Sequence, residues 1–225
     1  MRVVRDWDES AELWSFVGTG DGTDEFPTLK AMAERYDRTC TLLFPKASRR
    51  KKTGLSVLDS INTVITKTSP KINTFLFLID REHIVQGVKK RDVTRLNNNK
   101  IQGMIEKRLS NKHVRILETD DNTPDGTFII KGKLGSRILQ IYIVIFGIKS
   151  IEDEILTLIK LEKDITIPPG KKNIRDFFEE RFHTRSIGRG AGKLIIEADE
   201  SNIQKSFPGL TFILNVIENQ CSKNN

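Results

Sequence analysis

The chain has 225 residues, 37% hydrophobic and 30% charged, enough for one sizeable core, and no apolar run approaches the roughly 20 residues of a membrane helix. Its 37 basic and 30 acidic residues leave a net charge of +7, a moderate excess whose placement says more than its size. The opening stretch, "MRVVRDWDESAE", carries acids and no apolar signal core, while Cys40 and Cys221 stand far apart without metal-type spacing; the expectation is a cytoplasmic protein with ordinary thiols.

In chain order, "LWSFVG" (Leu13 to Gly18) reads as a buried strand. The next segment, "EFPTLKAMAERYD", predicts a helix, because Phe26, Leu29, Met32, Ala33 and Tyr36 fall on one face, with Asp24 as cap and Pro27 in the first turn. "CTLLFP" from Cys40 is a strand, "LSVLDSINTVITKT" spaces Leu55, Leu58, Ile61 and Ile65 helically, and "NTFLFLID" (Asn73 to Asp80) is a continuous apolar strand of the kind buried on both faces of a parallel sheet. A helix over "NNKIQGMIEKRLSN" leads to the strand "HVRILETD". This alternation predicts an α/β fold: a mostly parallel sheet flanked by helices, spanning residues 1–166.

The pattern then changes. A turn cluster, "DDNTPDG", precedes the strands "TFIIKG" and "RILQIYIVIFGI", and "SIEDEILTLIKLEK" follows as a helix with Ser150 at its N-cap and acids in its first turn. "TIPPGKK" breaks the chain. Beyond it, residues 167–225 predict a small helical cap: a charged helix "NIRDFFEERFHTR", a glycine-rich turn "IGRGAGK", and a final helix around "FPGLTFILNVIEN".

Ligands of open parallel sheets bind beyond the carboxyl ends of the strands, and three acidic clusters stand at such ends or at helix starts. Asp21, Asp24 and Glu25 follow the first strand, Asp80 and Glu82 follow "FLFLI", and Glu152, Asp153 and Glu154 follow the last long strand. Carboxylates from separate strand ends meeting in one cleft suit a hard, oxygen-seeking ion such as magnesium, or manganese in its place. Two basic runs, "SRRKK" with Arg49, Arg50, Lys51 and Lys52, and "KKRDVTR" with Lys89, Lys90 and Arg91, are candidates for neutralising the phosphates of a nucleic acid. With only 7% aromatic residues and none in those runs, base stacking is not the expected source of affinity.

The order of strand, glycine-and-acid turn, helix, strand, glycine-bearing loop, helix, and hydrophobic strand ending in an Asp-x-acid pair resembles a Toprim domain, the metal-binding fold of topoisomerases, primases and OLD-type nucleases. "DGTDE" is similar to its first motif, with Asp21 in the leading place usually held by Glu and Glu25 trailing; an alternative alignment puts Thr19 there, which cannot take up a proton at neutral pH. "DRE" takes the place of the Asp-x-Asp motif, and "SIEDE" resembles the further acid of OLD-like members, implicating Glu152. The resemblance spans roughly Leu13 to Lys163. It implies Asp21, Glu25 and Asp80 as catalytic residues, a metal shell of Asp80, Glu82, Asp21, Glu25 and Glu152, and phosphodiester chemistry on DNA or RNA. The alternative it leaves open is a catalytically degenerate module that binds nucleic acid or a protein partner, such as the ATPase with which OLD-type Toprim domains are often paired.

Other motifs do not hold. A phosphate-binding P-loop needs glycine where Ile187 stands and Ser or Thr where Leu194 stands, so "GRGAGKL" is not a nucleotide site, although Arg189 and Lys193 remain candidates for touching a phosphate. "GTGDG" lacks the third glycine of a dinucleotide fingerprint. His83, three residues after Asp80, alone among the histidines is placed to reach the acids.

Overall fold

A computed structural model describes residues 1–6, 13–20, 22–36, 40–46, 52–67, 72–84 and 96–223. Its strands are β1 (Arg2–Val4), β2 (Leu13–Gly18), β3 (Thr41–Leu43), β4 (Thr74–Asp80), β5 (Arg115–Asp120), β6 (Thr127–Leu134) and β7 (Arg137–Phe146). Among the described residues there are eight α-helices: α1 (Glu25–Ala33), α2 (Ser60–Lys67), α3 (Asn98–Ser110), α4 (Ile151–Lys163), α5 (Lys171–Phe182), α6 (Ile187–Glu197), α7 (Glu200–Ser206) and α8 (Pro208–Lys223). Two short 3-10 segments, Gly54–Asp59 and Arg81–His83, complete them.

All seven strands form one sheet in the order β1-β3-β2-β4-β7-β6-β5. The pairings from β1 to β7 are parallel, whereas β6 and β5 continue antiparallel, so the sheet is mixed. Local chemistry explains the change of direction. Gly135 and Ser136 join β6 to β7 as a two-residue hairpin turn with Gly135 at φ +60°, so β7 runs back along β6 without a crossover helix.

The two central strands β4 and β7 are apolar over residues 75–79 and 141–146 because both of their faces are covered there. Phe75, Phe77 and Ile79 of β4, with Ile141, Ile143 and Ile145 of β7, face the 3-10 segment at Gly54, α2 and α3. The alternate residues, Leu76, Leu78, Tyr142, Val144 and Phe146, face α1 and α4 to α8. In α3 the buried Ile101, Ile105 and Leu109 recur every four residues, the spacing that keeps one face of a helix on the sheet. The helices from Lys171 onward share their core with α1, α4 and the sheet.

Several expectations change. "IGRGAGK" is helical, not a turn: it forms α6, whose glycines Gly188, Gly190 and Gly192 are buried against α1 and α5. A helical glycine costs about 1 kcal/mol relative to alanine, here offset by an approach no side chain would allow. "LSVLDSINTVITKT" divides into a 3-10 segment and the short α2, and β5 is an antiparallel edge strand. Strand β1 and helix α7 carry too few periodic residues to stand out in the sequence. Cys40 and Cys221, far apart in the chain, have Cα atoms 6.2 Å apart and touching sulfurs, bringing the start of β3 against the end of α8. No described helix is long and apolar enough to cross a membrane.

Candidate metal centre

The parallel register sets the site. Asp80, the last residue of β4, pairs with Phe146, the last residue of β7, and β2 ends alongside at Gly18. The chains that leave these three strand ends therefore emerge together. After β7, the turn through Gly147 leads into α4, whose first backbone N–H, from Ile151, donates to Asp80 Oδ1 at 2.9 Å. A helix N-terminus is thus aimed at the Asp80 carboxylate, the arrangement that favours negative charge. Asp153 turns back to accept from the backbone N–H of Ser150 at 3.1 Å, which leaves Glu152 in the first turn of α4 facing inward and buried. After β2, Thr19 donates its hydroxyl to Glu25 Oε1 at 2.8 Å and fixes the first residue of α1 over the strand ends.

Between these elements lies a cavity of about 190 Å³ whose wall includes Glu25, Asp80, Glu82, His83, Glu152 and Lys171. On its far side Gly54, at φ +53°, passes against the backbone of His83, where any Cβ would overlap the His83 carbonyl oxygen. His83 Nδ1 lies 3.8 Å from Asp80 Oδ2 and its Nε2 lies 3.8 Å from Glu82 Oε1.

The acids act on one another. Burial, then the negative charge of Glu25, pushes the Asp80 carboxyl up to about 7; the Ile151 N–H pulls the other way, and Glu152 and Glu82 add to the rise. Glu152 behaves oppositely. Burial alone would raise it, but the hydrogen bond from Lys171 Nζ to Glu152 Oε1, 2.6 Å long, then the Ser150 hydroxyl and the Lys171 charge, hold it below its usual value. Burial would lower Lys171 in turn, yet its pairing with Glu152 leaves it raised. The second oxygen of Glu152, Oε2, is buried and has no hydrogen-bond partner among the described residues.

Behind the wall, Glu154 is enclosed, accepts from the Gly147 N–H at 3.2 Å, and is pushed up to about 8 by burial, with Asp153 and Asp80 adding to it. Arg81, the middle residue of "DRE", turns away from the cavity: it is buried and donates to the carbonyls of Gly147 and Leu96 and to Asp125, tying the end of β4 to the end of β7.

Of the acids singled out in the sequence, Asp80, Glu82, Glu25 and Glu152 thus line one cavity, delivered by three separate stretches of chain. Asp24 lines it too, while its Oδ1 accepts from the Gly188 N–H of α6 at 2.9 Å. Asp153 and Glu154 serve as cap and buried support instead. Asp21 lies outside the described residues, as do Arg49, Arg50, Lys51, Lys89, Lys90 and Arg91. Lys52 is described and lines a neighbouring cleft with Thr19 and Gly20 rather than the acid cavity. Lys171 was not anticipated: it follows a Pro-Pro-Gly break, and nothing in "TIPPGKK" marks a cation that reaches back to the strand ends.

No protein-family model matches this chain, and no curated protein or solved structure is significantly similar to it. The chemistry of the cavity is therefore what bears on function. Its donors are carboxylate oxygens, the set a hard divalent cation takes. They line the wall rather than close on a point: among the described residues, no three His, Cys, Asp or Glu side chains are placed to hold one ion. Two features nonetheless fit a cation: the unpartnered buried Glu152 Oε2, and an Asp80 carboxyl pushed up to about 7 by burial and by the negative charge of Glu25.

Proposed function

We propose that the acid cavity takes up a divalent cation, Mg2+ or Mn2+, and that the protein is a Toprim-like enzyme of phosphodiester chemistry on nucleic acid. The observation that carries this reading is the meeting of Asp80, Glu82, Glu25 and Glu152 in one small cavity beyond the ends of parallel strands, with one buried carboxylate oxygen unpartnered.

Asp80, Glu82 and Glu152 would hold the ion, with Glu25 in the same cavity to complete its shell. Bound there, the ion supplies Lewis-acid polarisation of a phosphodiester and lowers the pKa of water. The chain's own residues set the stage for it. Asp80 must give up its proton, which the Ile151 N–H helps it to do. Lys171 already neutralises Glu152 and lies within the cavity wall, so a phosphate oxygen entering there meets a cation held in place by that pair. Glu25, oriented by the Thr19 hydroxyl, is the carboxylate placed to accept a proton opposite Asp80.

The test is cleavage of labelled single-stranded and double-stranded DNA and RNA with Mg2+ or Mn2+, comparing the wild type with Asp80→Ala. Metal-dependent cleavage that disappears in the variant is expected. Absence of cleavage by the wild type on every strand would overturn the enzyme reading and leave a nucleic-acid- or partner-binding module, one arm of which is dependence on a separate ATPase subunit.

A further inference from the structure

Apart from Lys52, the basic residues expected to hold nucleic acid lie outside the described residues, yet a second cationic feature stands beside the acid cavity. Helix α6 lies so close on α1 that a Cβ on Gly188 would come within 2.7 Å of the Asp24 Cα, and one on Gly192 within 3.3 Å of the Pro27 carbonyl oxygen. An open groove of about 700 Å³ lies between the two helices and the end of β1. Four cations line it, Arg5, Lys30, Arg189 and Lys193, against one acid, Glu34.

Each cation is placed differently. The Arg5 guanidinium lies 3.6 Å over the Phe26 ring, which holds it on the wall. Lys193 donates to the Phe182 carbonyl at 2.9 Å, fixing its ammonium at the end of α5. Lys30 is only loosely paired with Glu34, 3.9 Å away, with both side chains about half exposed, a pairing that contributes little and exchanges readily. Arg189 is exposed, and its guanidinium has no partner among the described residues. Arg189 and Lys193 are one turn apart on α6, about 6 Å along its axis, far enough apart to meet different phosphates of one strand.

The groove and the acid cavity also share one stretch of chain. Gly22 and Thr23 line the groove, and the next two residues, Asp24 and Glu25, line the cavity. We infer that the groove between α1 and α6 is the track for a nucleic-acid backbone, holding phosphates on Arg5, Lys30, Arg189 and Lys193 and delivering the strand to the acids. The inference rests on the reading of the cavity as a phosphodiester site and adds where the substrate lies. The groove contacts charge, not bases, so binding along it is independent of sequence.

The experiment is fluorescence anisotropy of labelled single-stranded DNA and RNA oligonucleotides with the full chain in EDTA, from about 50 to 200 mM salt. Replacing Lys30→Gln and Arg189→Gln together weakens binding of both strands about tenfold and lowers the slope of log affinity against log salt by about 1.4, the share of two phosphate contacts. The matched control Lys100→Gln with Lys107→Gln, on α3 at the opposite face of the sheet, binds as the wild type does. Thermal melting confirms that both variants are folded. Wild-type affinity and slope in the groove variant would overturn the inference, as would a wild type that binds no strand at low salt, or displacement of the strand by polyglutamate at equal charge, which would assign the groove to an acidic polypeptide. A Mg2+ titration of the wild type separates this from the reading it rests on. Mg2+ uptake without strand binding refutes only the track; strand binding lost in the groove variant without Mg2+ uptake refutes only the metal site.

Discussion

Replacing Asp80→Asn removes one charge from the acid cavity while leaving the size of the side chain and its Oδ1 acceptor for the Ile151 N–H. In the folded protein Asp80 is pushed up to about 7 from an ordinary 3.8, first by burial and then by Glu25. That difference of about three units, at about 1.4 kcal/mol each, places the cost of ionising Asp80 in the fold near 4 kcal/mol. The side chain is 18% exposed, and water reaching it brings the expected gain to about 2–4 kcal/mol. The sign follows from linkage. A carboxyl that holds its proton more tightly when folded lowers stability as pH rises from about 4 to about 7, and the loss is complete above that. Without metal, Asp80→Asn should therefore melt roughly 5–15 °C above the wild type at pH 8, with the gap closing toward pH 4. Added Mg2+ should raise the wild type and not the variant. Thermal melts from pH 4 to pH 9 with EDTA or Mg2+ measure both effects. A variant less stable than the wild type at pH 8, or a gap that does not change with pH, would refute the claim that the Asp80 charge is held against its neighbours.

Glu154, pushed up to about 8 chiefly by burial from an ordinary 4.5, keeps its proton in the fold while the unfolded chain releases it, so Glu154→Gln should match the wild type near pH 4, gain on it as pH rises toward 8 and hold that gap above; a gap that does not change with pH would contradict this. Lys171→Ala strips the cation from Glu152, so the melting gain on adding Mg2+ should be larger in the variant than in the wild type, because the ion then supplies the only positive charge there; an equal or smaller gain would place the ion elsewhere. Gly188→Ala drives a Cβ to within 2.7 Å of the Asp24 backbone, and a destabilisation of about 1–3 kcal/mol is expected, read as a fall of several degrees in melting temperature together with weaker Mg2+ binding as α1 and Glu25 shift.

The α/β character and most element positions were legible because period and punctuation agreed. The unbroken "FLFLI" could only be a doubly covered strand, and it forms the centre of the sheet with Asp80 at its end. Ser150 and the acids after it announced α4, although which acid faces the cavity depends on helical phase: Glu152 turns inward, Asp153 caps, and the Glu154 carboxylate turns back to the Gly147 N–H. Convergence of the acids depends on topology, since the parallel β2-β4-β7 register brings Glu25, Asp80 and Glu152 to one edge. What stayed hidden depends on contacts between distant segments. Glycines usually signal turns, so "IGRGAGK" gave no hint that α5 and α1 would offer α6 surfaces only glycine fits. Lys171 reaches the cavity through the packing of α5, and the joining of Cys40 to Cys221 depends on where α8 ends.

The central claim is that the acids at the strand ends share a divalent cation. Calorimetric titration of Mg2+ and Mn2+ into the wild type and into Asp80→Ala tests it most directly. The account predicts saturable binding to the wild type, tightening between pH 6 and pH 8 as Asp80 loses its proton, and its loss in a variant that remains folded. Equal binding by both proteins, or none by the wild type across that range, would contradict it.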